Sequence, residues 1–169
     1  MPESKTPILL HQKIVQKINR MAYQIYEDNY DQKEIIIAGI AKNGYTFAKL
    51  ISKKLQEISP IKIKLVELLI NKKNPINGKV ELDLSTDEIK NKSIILVDDV
   101  QNSGKTMIYG LQHFLKAPIQ KLSIAVLVDR SHKRFPVQAD YVGISLATTL
   151  KEHVEVNFDD AKNYIAYLC

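Results

Sequence analysis

The sequence predicts an α/β protein built on a doubly wound, mostly parallel sheet. Short apolar runs at Glu34–Ala41, Ser93–Asp99 and Leu122–Val128 are bounded by turn residues, the pattern of strands buried on both faces. Segments with apolar residues at helical spacing lie between them, and parallel strands need such crossovers. No repeat, low-complexity tract or composition break divides the 169 residues, so a single domain over 1–169 is expected.

Taken in order, His11–Tyr30 places Ile14, Ile18, Met21 and Ile25 on one face of an amphipathic helix. The strand EIIIAGIA (Glu34–Ala41) is broken by Lys42-Asn43-Gly44. Phe47, Leu50, Ile51, Lys54 and Leu55 then resume helical spacing until Pro60. IKIKLVELLI (Ile61–Ile70) is a second strand. The polar loop NKKNPING (Asn71–Gly78) separates it from a return strand at Val80–Leu84, which alternates with period two. SIILVDD (Ser93–Asp99), a helix from about Gly104 to Lys116, LSIAVLV (Leu122–Val128), a short strand at Asp140–Ile144 and another at Val154–Phe158 complete the pattern. In such sheets ligands bind beyond the carboxyl ends of the strands. That directs attention to the loops after Ala41, Ile70, Asp99 and Val128.

Composition excludes several classes. At 45% hydrophobic and 25% charged, with six Gly and six Pro, the chain is neither collagen-like nor disordered. With a single cysteine, Cys169, at the last position, neither an internal disulfide nor a cysteine-based zinc site is expected to be possible. The four histidines are scattered without metal-ligand spacing. No stretch approaches the ~18 uninterrupted apolar residues of a membrane span. The start MPESKTPILLHQK lacks the basic flank and apolar run of a secretory signal, so the expected compartment is the cytoplasm.

Net charge is +5, unevenly spread: Lys42–Lys79 holds nine Lys against two acids, and Val80–Ser103 holds six acids against two Lys. A basic segment beside an acidic one suits a polyphosphate bound with a divalent cation; abundant solvent-facing lysine explains it equally well. Only three Arg occur (Arg20, Arg130, Arg134), which argues against an Arg-rich nucleic-acid patch.

The most informative residues are IILVDDVQNSGKT (Ile94–Thr106). A buried strand runs into two carboxylates, Asp98 and Asp99, then a turn of small and polar residues, then a helix start. Free N–H groups at a helix N-terminus make an anion site; Ser103 and Thr106 add hydroxyls, and Gly104 lets a phosphate approach. A P-loop reading fails, because the glycine that GxxxxGK[ST] requires five positions before Gly104 is Asp99. Carboxylates accept hydrogen bonds from vicinal hydroxyls, so the pattern suits a sugar phosphate.

Ile94–Thr106 resembles the phosphoribosyl-pyrophosphate (PRPP) signature of type I phosphoribosyltransferases. Gly39–Gly44 resembles that family's pyrophosphate loop. Ala125–Thr149 (AVLVDRSHKRFPVQADYVGISLATT) is similar to the same stretch of the bifunctional pyrimidine-operon attenuators with uracil phosphoribosyltransferase activity. The resemblance implies a small hood, from roughly 1–30 and 129–169, over the parallel sheet, and a flexible loop over 71–79. It implies that Asp98 and Asp99 are catalytic and hold the ribose hydroxyls. Asn102, Ser103, Gly104, Lys105 and Thr106 would grip the 5′-phosphate; Ala41, Lys42, Asn43, Lys72 and Lys73 would face pyrophosphate; Val100, Asp129 and Arg130 would lie near the nucleobase. Mg²⁺ would be the cofactor, with no direct protein ligand assigned. PRPP and a nucleobase would be the substrates, and the assembly a homodimer or dimer of dimers.

Ser103 stands where the family usually has Thr, and keeps the hydroxyl. Asn102 stands where purine-using relatives have an Asp able to act as base; Asn cannot take that proton, which disfavours a purine. The closing loop offers Lys72 and Lys73 but no Arg. The alternative reading is a nucleotide-sensing regulator of pyrimidine genes, with weak or no catalysis, that binds leader RNA. It would do so through Lys13, Lys17 and Arg20 on one helix face or through His132-Lys133-Arg134, although solvated basic surface is the commoner explanation of both. A purine phosphoribosyltransferase is a further alternative.

Overall fold

The computed structural model describes residues 4–169. Strand β1 (Thr6–Leu10) leads into helix α1 (His11–Asn29), whose Ile14, Ile18, Met21, Ala22 and Ile25 form one buried face, as their spacing predicts. Strand β2 (Glu34–Ile40) and helix α2 (Asn43–Ile58) follow. The last turn of α2 closes when both the backbone N–H and the hydroxyl of Ser59 donate to the Leu55 carbonyl, and Pro60 prevents a further turn. Strand β3 (Lys62–Leu69), the loop after it and strand β4 (Glu81–Leu82) form an antiparallel return. Only two residues of the strand expected over Val80–Leu84 pair with β3.

A short helix α3 (Thr86–Ile89) was not expected from sequence; Ser85 and Glu88 form its capping box, Glu88 N–H donating to Ser85 Oγ and Ser85 N–H to Glu88 Oε2. Strand β5 (Ser93–Gln101), helix α4 (Lys105–Phe114), strand β6 (Lys121–Asp129) and strand β7 (Tyr141–Ser145) then alternate, before strands β8 (Val154–Asn157) and β9 (Ile165–Leu168).

The main sheet has the order β4-β3-β2-β5-β6-β7, parallel except at β4. Successive side chains of its central strands enter opposite cores. Ile35, Ile37, Ile95 and Val97 pack with α1 and α2. Ile36, Ala38, Ile40, Ile94 and Leu96 pack on the other face, with Met107 and Phe114 of α4. Helices on both faces make the sheet doubly wound. Chain order reverses between β2 and β5, which places the sheet's switch point beside the loop after β2 and the carboxyl end of β5.

A second sheet, β1-β9-β8, is antiparallel, and in β1 the register shifts between Pro7 and Leu9. This sheet is smaller than the hood expected over 1–30 and 129–169. Helix α1 belongs to the core of the main sheet, because its apolar face buries against α2 and the strands. Strand β7 pairs with β6 as the main sheet's edge. This second sheet, called the hood below, comprises Thr6–Leu10, Val154–Asn157 and Ile165–Leu168; residues 1–3 of the expected span lie outside the described residues.

Candidate active site

Two strand ends converge at the switch point. After β2 the chain turns through Ala41 and Lys42, joined by a cis peptide, and Ala41 N–H donates to the Leu68 carbonyl of β3. Helix α2 then starts hard against β5. A Cβ on Gly44 would lie 2.8 Å from Asp98 Oδ1 and 2.9 Å from both Asp98 Cα and the Val97 carbonyl. Only glycine permits that approach.

Asp98 and Asp99 lie inside β5, which extends to Gln101, and both are buried. Asp98 Oδ1 accepts from Asp99 N–H, and Asp99 Oδ1 from Val100 N–H, both at 2.9 Å. Burial, and then the charge of Asp99, push the Asp98 carboxyl well above the usual range; the Lys72 ammonium opposes them. Lys72 reaches in from the loop after β3 and donates to both Asp98 oxygens at 3.1 Å. Lys73, the other expected cation of that loop, is exposed, and its backbone N–H donates to Asn71 Oδ1. Asn43, expected to face pyrophosphate, is otherwise engaged: its amide Nδ2 donates to Asp99 Oδ2 at 3.1 Å and to the Val156 carbonyl of β8 at 2.8 Å. It thereby ties the acidic pair to the hood.

The turn after β5 is shaped by Gly104, which caps α4 at φ +83°, and by Ser103 Oγ, which accepts from Lys105 N–H. Asp98, Val100, Asn102, Ser103, Gly104, Lys105 and Thr106, with Lys72, line one cavity of about 240 Å³. The predicted phosphate-turn residues and one member of the acidic pair thus share a pocket at the N-terminus of α4. A larger surface cavity, about 1020 Å³, lies elsewhere, between the loop around Ile76 and helix α4; its lining is mostly apolar, with Glu81 as its one carboxylate.

Asp129 and Arg130, at the end of β6, are buried. Asp129 accepts from Ser131 N–H and lies 3.5 Å from Lys133. The Arg130 guanidinium donates to Asn102 Oδ1 (2.8 Å), Thr148 Oγ1 (3.0 Å) and the carbonyls of Thr149 and Glu152. Most of its donors are therefore committed to the protein, and it fixes the segment 148–152 to the turn after β5. Sequence reasoning misses those partners, along with the Gln101 Nε2 bond to the Val137 carbonyl, because they are distant in the chain and carry no local signal.

The chain matches the family described as "Phosphoribosyl transferase domain" over residues 4–161. It belongs to that family. Among relatives, the Bifunctional protein PyrR of Streptococcus mutans is 34% identical over 156 residues, covering 88% of this chain and 87% of that protein. The Clostridium novyi protein of the same name is 32% identical over 160 residues, with 88% of each chain covered. A hypoxanthine-guanine phosphoribosyltransferase from Bacillus anthracis superposes with a TM-score of 0.77, covering 96% of this chain and 98% of that one, at 18% identity. That likeness is one of fold. As a type I phosphoribosyltransferase domain, the chain has the mostly parallel α/β sheet that the sequence predicts. Among the described residues, no helix is long and apolar enough to cross a membrane.

Proposed function

We propose that the protein transfers the phosphoribosyl group of PRPP to a nucleobase, uracil, giving the nucleoside monophosphate and pyrophosphate. The observation that carries this reading is the buried Asp98–Asp99 pair at the switch point, with Asp98 sharing a pocket with the turn that opens α4. Carboxylates accept from the ribose 2′- and 3′-hydroxyls, while the N–H groups of Asn102–Thr106 and the helix dipole hold the 5′-phosphate. The reaction forms a bond from a ring nitrogen to the anomeric carbon and breaks the bond to the pyrophosphate oxygen. Pyrophosphate leaves with the electron pair, and the nitrogen's proton passes to solvent. Catalysis is positioning plus stabilisation of developing charge, with Lys42, Lys72 and Lys73 assigned to the pyrophosphate charge.

The residues present suit Mg²⁺. The donors are hard carboxylate oxygens, and Asp98 already accepts a cation, the Lys72 ammonium, on both of them. When bound with PRPP, the ion would neutralise pyrophosphate charge beside Asp98 and Asp99.

The base assignment is supported by Asn102. A guanidinium only donates, so Arg130 holds the Asn102 carbonyl oxygen and leaves its NH₂ group facing out as a donor. A purine reaction that needs a proton acceptor at this position finds none. Turnover of PRPP with Mg²⁺ against uracil, hypoxanthine, guanine and xanthine, read as pyrophosphate release, tests the reading. Uracil-dependent release that is lost in Asp98→Asn and Asp99→Asn is expected. Release with a purine alone would overturn the base, and silence with every base would overturn the enzyme.

A second reading, RNA binding, draws on helix α1. Lys17 is held below the usual lysine range by partial burial and by the neighbouring charges of Arg20 and Lys13, so the three form one basic cluster. Arg20 donates to the carbonyls of Val142 and Gly143, which leaves Lys13 and Lys17 for phosphates. A salt-dependent shift of a pyrimidine leader RNA, lost in Lys13→Ala/Lys17→Ala, tests it.

A further inference from the structure

A cluster outside the active site joins three metal-ligating side chains of different chemistry. His153 and Cys169 exchange both backbone hydrogen bonds, each at 2.9 Å, which extends the β8–β9 ladder by one pair. Glu155 lies two residues beyond His153, hence on the same face of the hood. The register therefore gathers an imidazole, a carboxylate and a thiol whose donor atoms all lie within 4.8 Å of one another. His153 and Glu155 are exposed and Cys169 half-buried, so the side chains are free to turn toward a common centre. Lys5 Nζ lies 2.6 Å from Glu155 Oε2; the position already attracts one positive charge.

We propose that His153, Glu155 and Cys169 form a surface site for one Zn²⁺ ion, with water in the fourth position, that staples β8 to β9 in the hood. Nitrogen, sulfur and oxygen donors together suit a borderline divalent metal, whereas Mg²⁺ and Ca²⁺ take oxygen sets. Tetrahedral zinc with bonds of about 2.0–2.3 Å spaces its ligands roughly 3.3–3.8 Å apart. Side-chain rotation closes the remaining gap, since the backbones are already pinned. Binding releases the Cys169 thiol proton to solvent, uses the neutral imidazole, and displaces the Lys5 ammonium from Glu155. This revises the expectation that the chain holds no cysteine-containing zinc site. Sequence spacing cannot show the cluster, because His153 and Cys169 meet only through strand pairing.

The test is Co²⁺ titration of the reduced, metal-stripped full chain, followed by Zn²⁺ competition. One equivalent per chain with a thiolate-to-cobalt charge-transfer band, displaced by Zn²⁺ and not by Mg²⁺, is expected. Cys169→Ser should abolish the band, and His153→Ala should weaken binding by about tenfold or more. Lys5→Ala should tighten it, because the competing cation is gone. All three are exposed or half-buried substitutions, and unchanged circular dichroism of the metal-free variants checks that each folds. Absence of the band, binding that survives Cys169→Ser, binding unchanged by His153→Ala, or a band that appears only as chains associate would each overturn the proposal.

Discussion

Arg130 and Asn102, 28 residues apart, are joined by a 2.8 Å hydrogen bond from guanidinium Nη1 to amide Oδ1. The bond does two things at once. It anchors the turn after β5 to the segment 148–152, and it occupies the Asn102 amide oxygen.

Asn102→Asp keeps a partner for Arg130 but replaces the offered NH₂ with a carboxylate oxygen. The variant should fold, and the preference for uracil over hypoxanthine that the proposed reaction carries, measured as the ratio of kcat/KM values, should fall by about tenfold or more. An unchanged ratio would mean that Asn102 does not read the base.

Asp98 gives a pH prediction with a definite sign. Burial and Asp99 raise its folded-state pKa above the ordinary 3.8. The folded state then binds the proton more tightly than the unfolded chain, so this group's contribution to stability is fully present below 3.8 and is lost as pH rises through the folded value. Asp98→Asn should therefore melt higher than the parent at neutral pH while losing turnover, a trade common at strained active sites. Lys72→Met removes the opposing cation, and the acid limb of the activity profile should move to higher pH. Thermal melts and pH–rate profiles of the two variants check both.

Gly44→Ala forces a methyl group against Val97 and Asp98 backbone atoms 2.9 Å away. Helix α2 must retreat from β5, at about 1–3 kcal/mol of stability by the usual cost of overpacking, and Asn43 is carried off Asp99. Denaturant unfolding should show the loss, and turnover should fall further than stability alone explains.

Beneath the sheet, Ser93 Oγ donates to Asn29 Oδ1 at 2.8 Å, and Asn29 Nδ2 donates to the Ile25 carbonyl at 2.8 Å. Both residues are buried. Asn29→Ala strands the Ser93 hydroxyl and should cost about 1–3 kcal/mol, whereas Asn29→Ala/Ser93→Ala should recover part of it. A double-mutant cycle in denaturant measures the difference.

What could be read from the sequence follows from how local each feature is. The core strands show because Ile35–Ile40 and Ile94–Val97 are buried on both faces and must be apolar throughout. The turn before α4 shows because Asn102–Thr106 present their groups within one stretch of backbone. Of the hood's three strands only Val154–Asn157 shows. Thr6–Leu10 is short, contains Pro7, and pairs with Ile165–Leu168 at the other end of the chain. Lys72 is legible as a loop cation, but its seat on Asp98 depends on where the loop after β3 folds. Asn43 and Arg130 are legible as site residues by resemblance; their partners, Val156 and Thr148–Glu152, are set by tertiary packing alone.

The register shift at Pro7 bears on solubility. β1 is an outer strand of the hood sheet, and outer strands invite a neighbouring molecule to add a strand of its own. Pro7 has no N–H to offer such a strand, and the bulge beside it bends the backbone out of register. The hood can thus keep a small antiparallel sheet at the protein surface without that border serving as a template for fibrous self-association.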